Sequence, residues 1–363
     1  MTLHSELRKL IEQMLQKKAS DLVLTEGQPP LLRIDGDLRD CEGKALTSGE
    51  IERLFLGVLS EEQRVKFERE LELDAAFGLE NIARFRLNVF KQQGRTGAVI
   101  RMLSHEIPTL GFLGVPPVVK QWLMFPHGIL IVTGPTGSGK STTQAAMIGY
   151  LNQQKRHHVV TIEDPVEYEH RHGTCTIEQR EVGRDTHSFS NALKSVFRQT
   201  PDVVMIGEMR DRETVESALQ LAETGHLILT TLHTGDAMQA ISRMVDIFPP
   251  EQHQHVRVQL SLTLIGVLVQ QLVPSLDGSK RMLATEILQA NSAVRNLIRK
   301  NELQQIYSII QTGSEEEMRT MNQSLLQLFQ AGKISLEQAK LFTTRQKEFE
   351  DLVAKRTKVP VYV

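Results

Sequence analysis

The stretch GPTGSGKST, Gly134 to Thr142, fits the phosphate-loop spacing G-x-x-x-x-G-K-[ST] and stands between an apolar, β-branched run, GILIV, and a helical run. Its glycines let consecutive backbone N–H groups turn inward around a β-phosphate. Lys140 brings positive charge to the β and γ oxygens, and Ser141 can hold Mg²⁺. The residues expected to bind nucleotide are Gly134, Pro135, Thr136, Gly137, Ser138, Gly139, Lys140, Ser141 and Thr142.

Two runs tipped with carboxylates follow. In VVTIEDPVEY an apolar run ends in Glu163 and Asp164, and Pro165 bars simple continuation of a strand ladder. A carboxylate there can activate water, although an isolated Glu-Asp pair also reads as a helix N-cap or a solvated turn. In PDVVMIGEMRD the run is Val203 to Ile206, and Glu208 stands just beyond Gly207. In a phosphate-loop protein that position suits a group of the Mg²⁺ shell, so Ser141 and Glu208 are the expected metal contacts.

In ETGHLILTTLHTGDA, His226 and His233 flank one short strand-like run. Seven residues of extended chain span about 23 Å, and an odd separation turns the two side chains to opposite faces. His233 joins Gly134, Glu163 and Glu208 beyond the C-terminal ends of predicted strands, the edge at which open parallel sheets bind ligands. It is expected near a γ-phosphate. His226 is expected at the other end, as a contact with a neighbouring subunit or as a hydrogen-bonded residue after the Gly225 helix stop.

The elements that must carry these residues are legible in the periodicity. Leu7, Leu10, Ile11, Met14 and Leu15 follow helical spacing, and SDLVLTEGQPPLLRIDGDL then changes to short strands. Capping-box pairs Thr47/Glu50 and Ser60/Gln63 open two helices, before ARFRLNVFKQQ and GAVIRML return to strand character. This α+β domain is expected to span residues 1–103, with SHEIPTLGFLGVPP, 104–117, as a linker. In residues 118–363, apolar runs alternate with helical runs, as in a mainly parallel sheet with covering helices. Leu260 to Val273 is expected to be a buried helix, and the chain beyond Pro249 mostly helical.

The 363 residues carry 42 basic and 44 acidic side chains, net −2, with no long block of one sign, which argues against nucleic acid as an obligate partner. Cys41 and Cys175 are too few for a disulfide framework or a four-cysteine zinc site. The amino terminus lacks the apolar core of a signal peptide, and no transmembrane run of about 18 apolar residues occurs, so a cytoplasmic protein is expected.

GPTGSGKST, IEDPVEY, QREVG, SFSNALKSVFRQTPDVVMIGEMRD and AETGHLILTTLHT, in that order, resemble the type IV pilus retraction ATPases of the PilT/PilU kind, within the secretion ATPase superfamily. The resemblance spans nearly the whole chain. AVRNLIRK, Ala293 to Lys300, is similar to the family's AIRNLIRE motif, with Val294 and Lys300 at its departures. Gln93 stands where relatives commonly carry arginine.

The resemblance implies an α/β fold: a RecA-like phosphate-loop ATPase domain behind a smaller amino-terminal α+β, PAS-like domain. It implies a homo-hexamer that hydrolyses ATP with Mg²⁺ at the cytoplasmic side of the inner membrane. There it would act on the pilus platform protein and disassemble pili, alone or with a paralogous pilus motor. Pilus-extension and type II secretion ATPases are the nearest alternatives, but these usually carry a four-cysteine zinc module. A nucleotide-binding accessory subunit with little turnover is a different class of answer.

The amino-terminal domain carries Arg84, Arg86, Arg95 and Arg101 on predicted strands. Isolated arginines on strands read equally as solvated or salt-bridged groups. In a ring, a neighbour's Arg86 and Arg101 could reach the γ-phosphate and offset transition-state charge, with Arg95 standing in for the arginine absent at Gln93.

Overall fold

The computed structural model describes residues 4–34, 37–55, 57–79, 83–103 and 106–357. The chain divides into two compact units. The first holds residues 1–106 together with Pro165–Glu169, and the second holds 107–164 and 170–363.

The first unit runs α1 (Ser5–Gln16), β1 (Asp21–Leu24), β2 (Leu31–Ile34), β3 (Asp37–Asp40), α2 (Ser48–Phe55), α3 (Glu61–Glu70), β4 (Glu72–Leu79), β5 (Ala83–Gln92) and β6 (Arg95–Leu103). Its six strands form one antiparallel sheet in the order β3-β2-β1-β6-β5-β4. The helical spacing of α1 buries Leu7, Leu10, Ile11 and Met14, and these pack with Ile51, Leu54 and Phe55 of α2 against Leu22, Ile100, Phe85 and Leu87 of the sheet. Both expected capping boxes form. Thr47 N–H donates to Glu50 and Glu50 N–H to Thr47, and Ser60 and Gln63 exchange the same pair of bonds.

The second unit runs α4 (Val118–Trp122), β7 (Gly128–Thr133), α5 (Lys140–Gln154), β8 (His158–Glu163), β9 (Thr176–Glu181), α6 (Phe189–Val196), β10 (Val203–Ile206), α7 (Arg212–Glu223), β11 (Leu227–Leu232) and α8 (Ala237–Asp246). It continues with α9 (His253–Thr263), β12 (Leu264–Pro274), β13 (Arg281–Gln289), α10 (Ser292–Lys300), α11 (Ile306–Thr312), α12 (Met321–Gln330), α13 (Leu336–Phe342) and α14 (Gln346–Thr357). The seven strands are ordered β13-β12-β7-β11-β10-β8-β9, all parallel except β13. Successive residues of a strand face opposite ways. Accordingly Ile129 and Ile131 pack into one core with α6 to α9, and Leu130 and Val132 into another with α4 and α5.

The structure corrects two expectations. Leu260–Val273 is not one helix: α9 ends at Thr263, and β12 starts at Leu264, lying between β7 and β13. From Leu264 to Gln270 every residue of β12 is buried, so apolar residues run on without alternation, and such a run has no period that separates strand from helix. The expected linker 104–117 differs as well. Ser104 and His105 lie outside the described residues, whereas from Ile107 the chain groups with the second unit and buries Leu110 and Val115 in its core. Among the described residues no helix is long and apolar enough to cross a membrane.

A candidate nucleotide site at the tips of four parallel strands

The phosphate loop leaves β7 at Gly134, whose φ is +146° and whose missing side chain is a requirement of space. A Cβ there would sit 2.2 Å from the Gln270 carbonyl oxygen on β12. Gly139, at φ +88°, caps α5 from the left-handed region, so the helix starts at Lys140 with its first N–H groups facing the loop. Pro135, Thr136, Gly137 and Ser141 are exposed, while Ser138 and Lys140 are buried. Lys140 Nζ donates to the carbonyls of Gly134 at 2.9 Å and Pro135 at 3.1 Å, which keeps the ammonium inside the loop.

The neighbouring strand ends are pinned by backbone and hydroxyl contacts. Thr133 Oγ1 accepts from Thr234 N–H at 2.9 Å, tying the turn after β11 to the end of β7. Gly207 N–H donates to Ile162 O at 2.8 Å, and Thr231 Oγ1 donates to Gly207 O at 2.5 Å, fixing the turn after β10 against β8 and β11. His233 and Glu208 are thereby brought together, with His233 Nε2 3.3 Å from Glu208 Oε1 and His233 Nδ1 3.4 Å from Lys140 Nζ. A carboxylate can only accept and an ammonium can only donate, so these partners fit a hydrogen on Nε2 directed at Glu208 and Nδ1 directed at Lys140.

Partial burial would raise the Glu208 carboxyl, but the Arg210 guanidinium at 2.8 Å, with His233, holds it below the ordinary range. Glu163, last residue of β8 and 9% exposed, accepts from Thr161 Oγ1 at 2.6 Å and from Gln179 Nε2 at 3.1 Å on the same oxygen. Sequence reasoning missed Arg210, Gln179 and the Thr133/Thr234 pair. Arg210 follows Glu208 by two residues and was open to inspection, but Gln179 meets Glu163 only because β9 pairs with β8.

Among the described residues no cluster of three or more His, Cys, Asp or Glu side chains could hold a metal by itself. A magnesium ion here would depend on substrate oxygens, which is how Mg²⁺ is commonly bound, and Ser141 and Glu208 have oxygen donors of the kind it takes. The cradle also fits a phosphate: Ser138 Oγ is buried there with no hydrogen-bond partner among the described residues.

His226 lies at the opposite end of β11. Its Nδ1 donates to Leu221 O at 2.9 Å and lies 3.3 Å from Thr224 Oγ1, so its ring closes the end of α7. Arg86 and Arg101 belong to the first unit and stand directly opposite one another on β5 and β6. Arg86 is 3.5 Å from Asp74, and Arg101 Nε donates to the buried Asp21 at 2.7 Å. Arg95 pairs with Glu26 at 2.9 Å, Arg84 pairs with Glu169, and Gln93 sits in the tight β5–β6 turn with φ +51°.

The family model described as Type II/IV secretion system protein matches residues 2–347. The type IV pilus retractation ATPase PilT of Pseudomonas aeruginosa is 44% identical over 335 residues, covering 92% of this chain and 97% of that protein. The type IV pilus ATPase PilU of the same organism is 42% identical, covering 92% of this chain and 87% of that one. The crystal structure of the pilus retraction motor PilT with bound ADP superposes with a TM-score of 0.88 at 46% identity, covering 94% of this chain and 98% of that one. The fold is that of the secretion ATPases, and the chain belongs to the Type II/IV secretion system protein family.

Proposed function

We propose that this chain is an ATP-hydrolysing motor that powers retraction of type IV pili, working as a hexameric ring on the inner-membrane pilus platform at the cytoplasmic face. The observation that carries this reading is the contact chain Lys140–His233–Glu208 at the tips of β7, β11 and β10, beside Glu163 on β8. It occurs in a chain that matches PilT along almost its entire length.

Lys140 exchanges its loop carbonyls for the β and γ oxygens of ATP, helped by the inward N–H groups of residues 134–142. Glu163, its carboxylate plane set by Thr161 and Gln179, takes the proton of the attacking water. His233 reads the γ-phosphate and passes its presence to Glu208. Ser141 and Glu208 would hold Mg²⁺, which when bound would supply positive charge to the phosphate oxygens. Arg86 and Arg101 of a neighbouring subunit complete the site, leaving their carboxylate partners for the phosphate. His226 holds the α7–β11 corner and acts on coupling or assembly.

The match to PilU is nearly as high as that to PilT, and the second reading is a nucleotide-binding accessory subunit of a pilus motor with low intrinsic turnover. Deletion in the source organism with a count of surface pili tests the first reading. Accumulation of non-retracting pili is expected, and loss of pili would make the chain an extension motor. ATPase assays with and without the partner motor separate the second.

A further inference from the structure

Gln179 does two things with one amide. Its Nε2 donates to Glu163 Oε1 at 3.1 Å, and its Oε1 accepts from His170 N–H at 2.7 Å. Glu163 and Gln179 are carried by neighbouring parallel strands: Thr161 stands opposite Gln179, and Glu163 opposite Glu181. The period of two therefore turns Thr161, Glu163, Gln179 and Glu181 to the same face.

The amide's orientation follows from its partners. Reversed, it would set Oε1 against the Glu163 carboxylate and Nε2 against the His170 N–H, losing both bonds. Among neutral side chains, a primary amide offers both the donor a carboxylate needs and the acceptor a backbone N–H needs. A glutamate at this position would put two carboxylates face to face. His170 is the first residue after Pro165–Glu169, the segment that groups with the first unit, where Glu169 pairs with Arg84. The amide that orients Glu163 thus also holds the chain where it re-enters the second unit.

We propose that Gln179 is a positioning residue for hydrolysis, which sets the plane of the Glu163 carboxylate and ties it to the backbone at His170, where the chain returns from the 165–169 segment. This rests on the reading of Glu163 as the group that takes the proton from water. Gln179 acts through Glu163, so its loss should slow the chemical step and leave nucleotide binding in place. A carboxylate misplaced by even an ångström loses a large part of its effect.

The test uses the purified full-length chain with Mg-ATP. It compares the wild type, Gln179→Ala, Gln179→Met, Gln179→Glu, Glu163→Gln and the double variant Gln179→Ala/Glu163→Gln. Gln179→Met keeps the volume and loses both bonds. Both neutral variants are expected to lower kcat between about 10- and 100-fold with KM within about twofold. Gln179→Glu should fall further, since a second carboxylate beside Glu163 favours its protonated form. The double variant should match Glu163→Gln alone.

Wild-type kcat in Gln179→Met would overturn the proposal, as would a loss of activity carried by a rise in KM and a lowered thermal midpoint with kcat unchanged. If Glu163→Gln itself turns over normally, the reading of Glu163 fails and the proposal with it. If Glu163→Gln is inactive while Gln179→Met is normal, only the proposal fails.

Discussion

His233 Nε2 stands 3.3 Å from Glu208 Oε1 across the tips of β11 and β10, while the other ring nitrogen stands 3.4 Å from Lys140 Nζ. One imidazole thus bridges the carboxylate expected at the metal and the ammonium expected at the phosphates.

Lys140 is buried and bonded to the carbonyls of Gly134 and Pro135, so its charge sits inside the loop before substrate arrives. Lys140→Ala should lower kcat by on the order of 10²–10³ and weaken ATP binding strongly, since the ammonium is a close partner of the β and γ oxygens. Isothermal titration with a non-hydrolysable analogue and a phosphate-release assay measure both effects. Unchanged binding and turnover would remove the phosphate loop from the account.

The two histidines should behave differently. His233→Ala is expected to lower kcat roughly 10-fold with little change in ATP affinity, because its partners are Glu208 and Lys140. His226→Ala removes the bond to Leu221 O at the α7–β11 corner and should disturb coupling or assembly more than chemistry. Single-turnover hydrolysis and the oligomer distribution by analytical ultracentrifugation distinguish them. Equal losses in single-turnover rate would contradict the split.

Much of this site is readable in the sequence because its parts sit where strands end. Glu163, Glu208 and His233 each close or follow an apolar run, and a parallel sheet gathers such ends on one edge. What escaped was what depends on pairing. Gln179 lies 16 residues from Glu163 and meets it only through the β8–β9 register, and β12 was hidden by burial on both faces, which erases alternation. The arginines show the same limit: strand character was evident, but the partners Asp74 and Asp21 come from β4 and β1.

Because Arg86 and Arg101 are expected to act in a neighbour's site, complementation should reveal them. Inactive Arg86→Ala subunits mixed with inactive Glu208→Gln subunits should recover some hydrolysis, since at some interfaces an intact Arg86 meets a site with an intact Glu208. If fluorescence shows subunit exchange and no activity returns, the arginines act elsewhere.

Glu286, on β13, is buried, and its Oε1 accepts from Ala237 N–H at 2.9 Å in the first turn of α8. Burial, aided by Asp236 and opposed by that N–H, pushes its carboxyl from 4.5 up to about 7. The folded-state value lies above the unfolded one, so this group's stabilising contribution is full below pH 4.5 and is lost as pH rises through 7. The loss is on the order of 3 kcal/mol. Glu286→Gln keeps an acceptor for Ala237 and cannot titrate, so from pH 5 to 8.5 the wild type should lose thermal stability relative to the variant. Parallel curves would show that Glu286 does not titrate in this range.

Phosphate release from Mg-ATP, measured side by side for the purified wild type and Glu163→Gln with bound nucleotide quantified in the same samples, tests the catalytic edge most directly. The wild type should release phosphate. Glu163→Gln should retain ATP and slow by about 10²–10⁴, because the amide keeps the shape of the carboxylate and cannot take the proton of water. Normal turnover in Glu163→Gln, or weakened binding with normal turnover, would contradict the assignment of hydrolysis to these strand tips.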